Sequence, residues 1–347
     1  MSVQENEPTA LIEGHGVDHA ALEAYLRELG LTGVLEIREF GGGYSNVTYL
    51  LKMGDRALVM RRGPFGVVVK GAHEMSREYK ALVGLEKMWT KSPRPVAFCD
   101  DLGGVGATFY LMKRVDGVVL RKDTAGLSPD VVRRLSESLI DTLVEYHAID
   151  YVAAGLGGLG KPDGFLERQV PGWTDRYRAA QTDDLRDVEE MAVWIAGNIP
   201  VAQAPTMLHN DFKYDNVLMD RGLGGVVCVL DWEMATLGTS LALWQEAGDP
   251  PDLHAARFGP TQLPGNLTRL EFAERYAAKT GRDLTQLPWY YVFGLFRMLA
   301  SLQQLYQRYA LGKTKEPRYA PMLMAVRGMA AAGVAVIRKG RIDRLED

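Results

Sequence analysis

Cysteine is scarce. Only Cys99 and Cys228 occur in 347 residues, which excludes a disulfide scaffold and a cysteine-based metal site. Cys228 lies in an apolar run, so both read as buried free thiols of a reducing compartment, and the expected location is cytoplasmic. Charge of one sign is also lacking. The net charge is −4, so no broad polyanion-binding surface is implied and nucleic acid is not an expected partner. No basic-then-apolar pattern opens the chain. The longest apolar run, 320–337, is broken by Arg327 and several glycines. It reads as a packed helix, so no membrane partner is expected. Short-period repeats and low-complexity segments are absent. What is there is an ordinary globular mix, 47% hydrophobic and 24% charged, in a chain long enough for one large or two medium domains.

The most informative stretch is 208–218, Leu-His-Asn-Asp-Phe-Lys-Tyr-Asp-Asn-Val-Leu. It is followed at 226–233 by Val-Val-Cys-Val-Leu-Asp-Trp-Glu, an apolar strand ending in two carboxylates. Two acids and an amide within one hairpin suit a hard cation and a proton acceptor. Magnesium takes oxygen ligands, keeps several waters and sits on one or two carboxylates plus substrate phosphates. Asn216 and Asp231 are the candidate magnesium ligands, and Asp211 is the candidate base for a hydroxyl nucleophile. Base, amide five residues on, then a second aspartate is the kinase order. Lys213 is a candidate for screening charge on a transferred phosphoryl group. His209 reads as a scaffold residue, and Asp215 as a loop-shaping one.

These two motifs resemble the aminoglycoside phosphotransferase-like and choline kinase-like family. The nearest likeness is to the branch of kinase-like domains fused to some acyl-CoA dehydrogenases. The likeness runs roughly from position 41 to 312. It implies an α+β, two-lobed protein-kinase-like fold. A small antiparallel lobe (1–115) would cover ATP, and a larger helical lobe (116–347) would carry the chemistry. The implied reaction moves the γ-phosphoryl of ATP, with magnesium, to a hydroxyl of a small molecule. Amino sugars, hydroxyacyl thioesters and other hydroxylated metabolites are the acceptors the resemblance suggests. The chain departs from the family at Asn210, which replaces a glycine, and in the lack of an aspartate between 234 and 244. Arginine also stands where most kinases place lysine. Those departures keep open a silent nucleotide-binding protein or scaffold. No Asp-Phe-Gly or Ala-Pro-Glu pair follows, which argues against a protein kinase. Nothing in the sequence sets an oligomeric state.

The rest of the chain fits that frame. Residues 1–16 read as loose. Asp18 can cap a helix that buries Leu22, Tyr25, Leu26 and Leu29, with Gly30 as its stop. Strands are expected at 34–40, 46–53 and 56–62, with Gly54-Asp55 as a tight turn. The run Gly41-Gly-Gly-Tyr-Ser-Asn46 suits a phosphate lid, with Gly42 and Gly43 freeing backbone N–H groups and Ser45 and Asn46 near the phosphates. Side chains alternate along a strand, so only one of Arg61 and Arg62 can face the cleft. Arg61 is chosen, with Val59 beside it and Glu78 of a helix at 72–87 as its partner. Strands at 95–99 and 109–117 follow. The second resembles a kinase hinge, where backbone groups of Lys113 and Val115 would meet adenine with Met112 behind. Ser128-Pro129 starts a helix whose buried face is Val132, Leu135, Leu139, Leu143 and Tyr146. His147 reads as structural. The segment 165–178 is read either as a substrate entrance or as a solvated helix. Glu246, Asp249 and Asp252 make an acidic loop, either solvated or ready for a cationic substrate. Helices at 269–281 and 287–311 complete the chain, with Trp289, Tyr290, Tyr291, Phe293 and Phe296 as core.

Overall fold

The computed structural model describes residues 7–12, 15–41, 46–63, 75–100, 108–209, 211–232, 237–255 and 257–345. Gly42, Gly43, Ser45, Asn210 and Glu233 lie outside the described residues. The fold is α+β and two-lobed, as the motifs imply.

The smaller part begins with helix α1 (His19–Glu28). Asp18 caps it by accepting the N–H of Ala21 at 2.9 Å. Leu22 and Leu26 are buried beneath the sheet, whereas Leu29, expected on the same face, is exposed past the last turn. Strands β1 (Leu35–Phe40), β2 (Val47–Met53), β3 (Arg56–Arg62), β4 (Pro95–Cys99) and β5 (Phe109–Lys113) form one antiparallel sheet in the order β1-β2-β3-β5-β4. Alternation sorts β3 in the expected way. Leu58 and Met60 pack with α1, while Val59 faces the larger core. Helix α2 (Met75–Glu86) lies on that second face, with Leu82 and Leu85 buried.

The expectation that 1–16 is loose is corrected for its described part. Thr9 pairs with Glu39 through two backbone bonds of 2.8 and 2.9 Å. The Glu39 carboxylate accepts the N–H of Ile12 and bonds His15 Nδ1. An edge strand offers a row of unpaired backbone groups, and here the preceding segment covers it. Polar composition alone does not reveal such a cover.

Past β5 the chain crosses at Gly117. A Cβ there would sit 2.7 Å from the carbonyl oxygen of Met219, so only glycine allows the crossing strand to reach the hairpin of β6 (Val217–Met219) and β7 (Val226–Val229). Val118 then bridges Met219. Helix α3 (Pro129–His147) starts at the Ser128 cap and buries the five predicted residues. Helices α4 (Phe165–Ala180), α5 (Arg186–Gly197), α6 (Leu237–Ala242), α7 (Pro251–His254), α8 (Arg269–Thr280), α9 (Leu287–Ala310) and α10 (Met322–Lys339) build the larger part. By length and composition the α10 segment could cross a membrane. Its Val326, Met329, Ala330 and Val334 are instead buried, with α10 packed on α5, α7 and α9. Both cysteines are free and buried, and burial pushes the Cys228 thiol up to about 12.

Neither reading of the acidic loop holds for Glu246 and Asp249. Arg269, 0% exposed, donates to both carboxylate oxygens of Asp249 at 2.6 Å. Its backbone N–H donates to Glu246 at 2.5 Å and its Nε to the carbonyl of Ile342 at 2.9 Å. Twenty residues separate Arg269 from Asp249, so no local pattern announces the pair. Asp252 alone of the three stays exposed.

Removing one member of a buried pair leaves an uncompensated charge. Arg269→Leu should therefore cost about 3–5 kcal/mol in urea unfolding. The double change Arg269→Leu with Asp249→Leu should recover part of that loss. A single substitution that leaves the urea midpoint unmoved would refute this.

Candidate active site

The β6–β7 hairpin positions the chemistry. Residues 211–213 lead into it through one 3₁₀ turn, Tyr214–Asn216, and the N–H of Leu230 donates to the carbonyl of Asn216 at 2.8 Å. His209 stitches the two arms together. Its Nε2 lies 2.7 Å from the carbonyl of Leu230, and its Nδ1 accepts the N–H of Asp211. That pair of bonds requires a neutral ring with the proton on Nε2. Burial lowers the pKa of His209 and keeps it neutral. The imidazole is a scaffold, packed against Phe212 and Trp232.

Asp211 faces the cleft, partly exposed. Lys213 Nζ donates to both of its oxygens at 2.7 Å, and Asn216 Nδ2 donates to its Oδ2 at 2.7 Å and to its carbonyl at 2.9 Å. With Nδ2 committed to Asp211, the remaining end of the Asn216 amide is Oδ1, an oxygen of the kind that can hold a hard cation. Lys213 Nζ also sits over the Phe258 ring at 4.5 Å. Asp231 has φ 58°. This left-handed conformation is uncommon outside glycine, asparagine and aspartate. Its carboxylate is ion-paired with Arg61 Nη1.

The same guanidinium donates from Nε to Glu78 at 2.8 Å. Glu78, 5% exposed, also accepts from Tyr110 OH at 2.9 Å and Asn46 Nδ2 at 3.2 Å. Burial, then the Glu78 carboxylate, raise the Tyr110 pKa well above the ordinary range, so the hydroxyl stays a donor. Tyr110 was missed in the sequence because an aromatic in a strand looks like core. Arg62 points away and donates to the carbonyl of Gly63.

Asp211, Lys213, Asn216, Asp231, Arg61 and Asn46 all line one cavity of about 420 Å³ between sheet and hairpin. Val59, Met112, Val115, Val119 and Leu218 give it an apolar wall. The structure spends the Asn46 amide nitrogen on Glu78. The N–H of Lys113 is taken by the carbonyl of Arg94 at 2.8 Å, so it is not free to donate to a base. Asp215 lines the same cavity, a position the sequence reading undervalued. Burial raises its pKa, against Lys213 and Arg121, which lower it.

The sequence model of the phosphotransferase enzyme family matches residues 36–287. The chain belongs to this family. Among curated relatives of this phosphotransferase-family chain, acyl-CoA dehydrogenase family member 10 of Mus musculus is 31% identical over 305 residues, 84% of this chain and 28% of that protein. Family member 11 of Gallus gallus is 29% identical over 342 residues, 94% of this chain and 44% of that protein. The chain thus spans less than half the length of these relatives. A crystal structure of a putative aminoglycoside phosphotransferase from Ralstonia eutropha superposes with a TM-score of 0.79 at 28% identity, covering 93% of this chain and 99% of the other. Aminoglycoside phosphotransferase APH(4)-Ia shares the fold, with a TM-score of 0.57 at 16% identity, covering 89% and 98%.

The buried histidines set an acid limit on the fold. Burial, then the Arg282 guanidinium, lowers the pKa of His147 to about 3, while its Nδ1 is 2.7 Å from Tyr276 OH. The unfolded value is about 6.5, so below that pH the unfolded chain takes up a proton that the folded one refuses. Stability should fall as pH drops from about 6.5 towards 3, by about 1.4 kcal/mol per pH unit for this proton. Urea unfolding of His147→Gln should show a shallower acid slope, and an unchanged slope would refute the assignment.

Proposed function

We propose that this chain is an ATP- and magnesium-dependent phosphotransferase that moves the γ-phosphoryl group to a hydroxyl of a small molecule. One observation carries the reading: Asp211, Asn216 and Asp231 share a single cleft with an arginine held by Glu78. Asp211 Oδ1 is the atom that takes the hydroxyl proton, because Oδ2 is committed to Asn216. Lys213, now on both Asp211 oxygens, lies where it can exchange that carboxylate for an arriving phosphoryl group. Arg61 orients the phosphates through its guanidinium fork. The apolar wall of Val59, Met112 and Val119 suits a base.

The residues fit magnesium. Asp231 offers a carboxylate that is 35% exposed to the cleft, and Asn216 offers Oδ1. Among the described residues no group of three or more histidine, cysteine or acidic side chains could hold a cation by itself. A donor set of one carboxylate and one amide matches an ion shared with phosphates and water. When bound, magnesium supplies neutralisation of the phosphate charge.

Charge narrows the acceptor. Arg121, Lys122, Arg257 and Arg318 line the cleft and outnumber Asp123 and Asp215 there, whereas Glu246 and Asp249 are turned inward onto Arg269. An acceptor bearing negative charge suits that lining better than a polycationic amino sugar. A second reading, nucleotide binding without transfer, draws on the Lys213 clamp across both oxygens of Asp211.

Magnesium-ATP at about 100 times its dissociation constant should stabilise the protein by about 2.7 kcal/mol in a thermal-shift measurement. The absence of any shift at millimolar nucleotide would overturn both readings. Asp211→Asn should keep that stabilisation and lose about 10²–10⁴-fold in transfer to a hydroxyl acceptor. Undiminished transfer in this variant removes Asp211 as the base.

A further inference from the structure

One aromatic ring reaches the catalytic loop from outside the β6–β7 hairpin. Phe258, between α7 and α8, is half-buried and lines the cleft. Lys213 Nζ lies 4.5 Å from its ring centroid. The same ammonium donates to both oxygens of Asp211 at 2.7 Å. Three donors are all it has. Two go to the carboxylate, and the ring face is its other partner. An aromatic face attracts a cation within about 6 Å of the centroid. The Lys213 side chain is only 13% exposed, so water screens this attraction little.

The chain on either side of the ring is fixed. Gly259 has φ 68°, and a Cβ there would sit 2.7 Å from the Tyr214 Cβ. Only glycine therefore lets this segment close on the catalytic loop. Tyr214 OH donates to Asn266 Oδ1 at 2.8 Å, and Asn266 Nδ2 donates to the carbonyl of Pro260 at 2.8 Å. Arg257 donates from Nη2 to the carbonyl of Lys122 at 3.1 Å and from Nη1 to Gln262 Oε1 at 3.2 Å. None of these bonds uses the Phe258 side chain, so the ring can be changed without cutting them.

We infer that Phe258 is a positioning residue for phosphoryl transfer, holding the Lys213 ammonium beside Asp211 and ready for a γ-phosphate oxygen. The inference rests on the phosphotransferase reading above. Leucine or methionine would fill a similar space, but neither offers the negative face of an aromatic ring. The seat matters when Lys213 leaves Asp211 for a γ-phosphate. Its anionic partner changes, and the ring stays. A lysine stem is flexible, and one already tethered at its tip loses less freedom on meeting the phosphate.

Only a triphosphate carries the group that Lys213 would meet. The readout is therefore the preference for magnesium-AMP-PNP over magnesium-ADP in calorimetric titration, which needs no acceptor. Phe258→Leu should lower that preference about 3- to 30-fold, the span of a cation–π contact from exposed to desolvated, with ADP affinity unchanged. Phe258→Tyr keeps the face and should keep the preference. Lys213→Met should lose the preference, and adding Phe258→Leu to it should cost nothing further. A merely structural ring would add its own loss to that of Lys213→Met. Should Phe258→Leu misfold, Phe258→Met takes its place. No preference in the unmodified protein, an unchanged preference in Phe258→Leu, equal losses in the leucine and tyrosine variants, or additive losses in the double variant each overturn the inference while nucleotide binding stands. Binding of neither nucleotide to the unmodified protein overturns the phosphotransferase reading and this inference together.

Discussion

Opposite charges run in series from Glu78 through Arg61 to Asp231, and the cleft takes its shape from them. Each comes from a different part of the fold: α2, β3 and the exit of β7. Glu78 is buried and held by three donors, so it cannot drift without leaving charge unpaired in a low-dielectric setting. Arg61 is the intermediate that passes this order to Asp231. A lysine at 61 would offer one compact ammonium. The guanidinium reaches one carboxylate with Nε and the other with Nη1. The exchange of lysine for arginine, which looks like a departure in the sequence, thus has a geometric use: one side chain spans two acids.

Neutrality matters as much as charge at the centre. His209 holds the backbone of Asp211 with one ring nitrogen and the carbonyl before Asp231 with the other. Only an uncharged ring can accept at one nitrogen and donate at the other. The aromatic surroundings that exclude water from His209 therefore set the spacing between Asp211 and Asp231. Tyr146 and Trp232 belong to that packing and also to the wall of a second cavity, behind the catalytic loop. Support for the loop and part of the wall of that cavity are built from the same rings.

Local signals carried much of this into the sequence. Ser128-Pro129 marks the start of α3, and Gly54 marks the turn between β2 and β3, because capping and positive φ are decided by neighbours in the chain. Strand alternation separates Arg61 from Arg62 for the same reason. The spacing of Asp211, Asn216 and Asp231 was readable because all three sit on one hairpin. What stayed hidden is non-local. Arg269 and Asp249 meet across a loop, Thr9 covers the edge of β1, and Tyr110 reaches Glu78 from another strand. The cavity of about 270 Å³ behind the catalytic loop draws its walls from α2, α3, α4, α8, α9 and the loops between them, so no stretch of sequence contains it.

The backbone at Asp231 restricts what drift can put there. A left-handed φ is easy for glycine and tolerable for asparagine and aspartate, but β-branched and bulky residues resist it. Glycine would relax the chain and lose the carboxylate. Asparagine would keep the shape and drop the charge, and glutamate would keep the charge but strain the turn. Conformation and chemistry thus exclude different substitutes, and among acidic residues aspartate is the one that satisfies both.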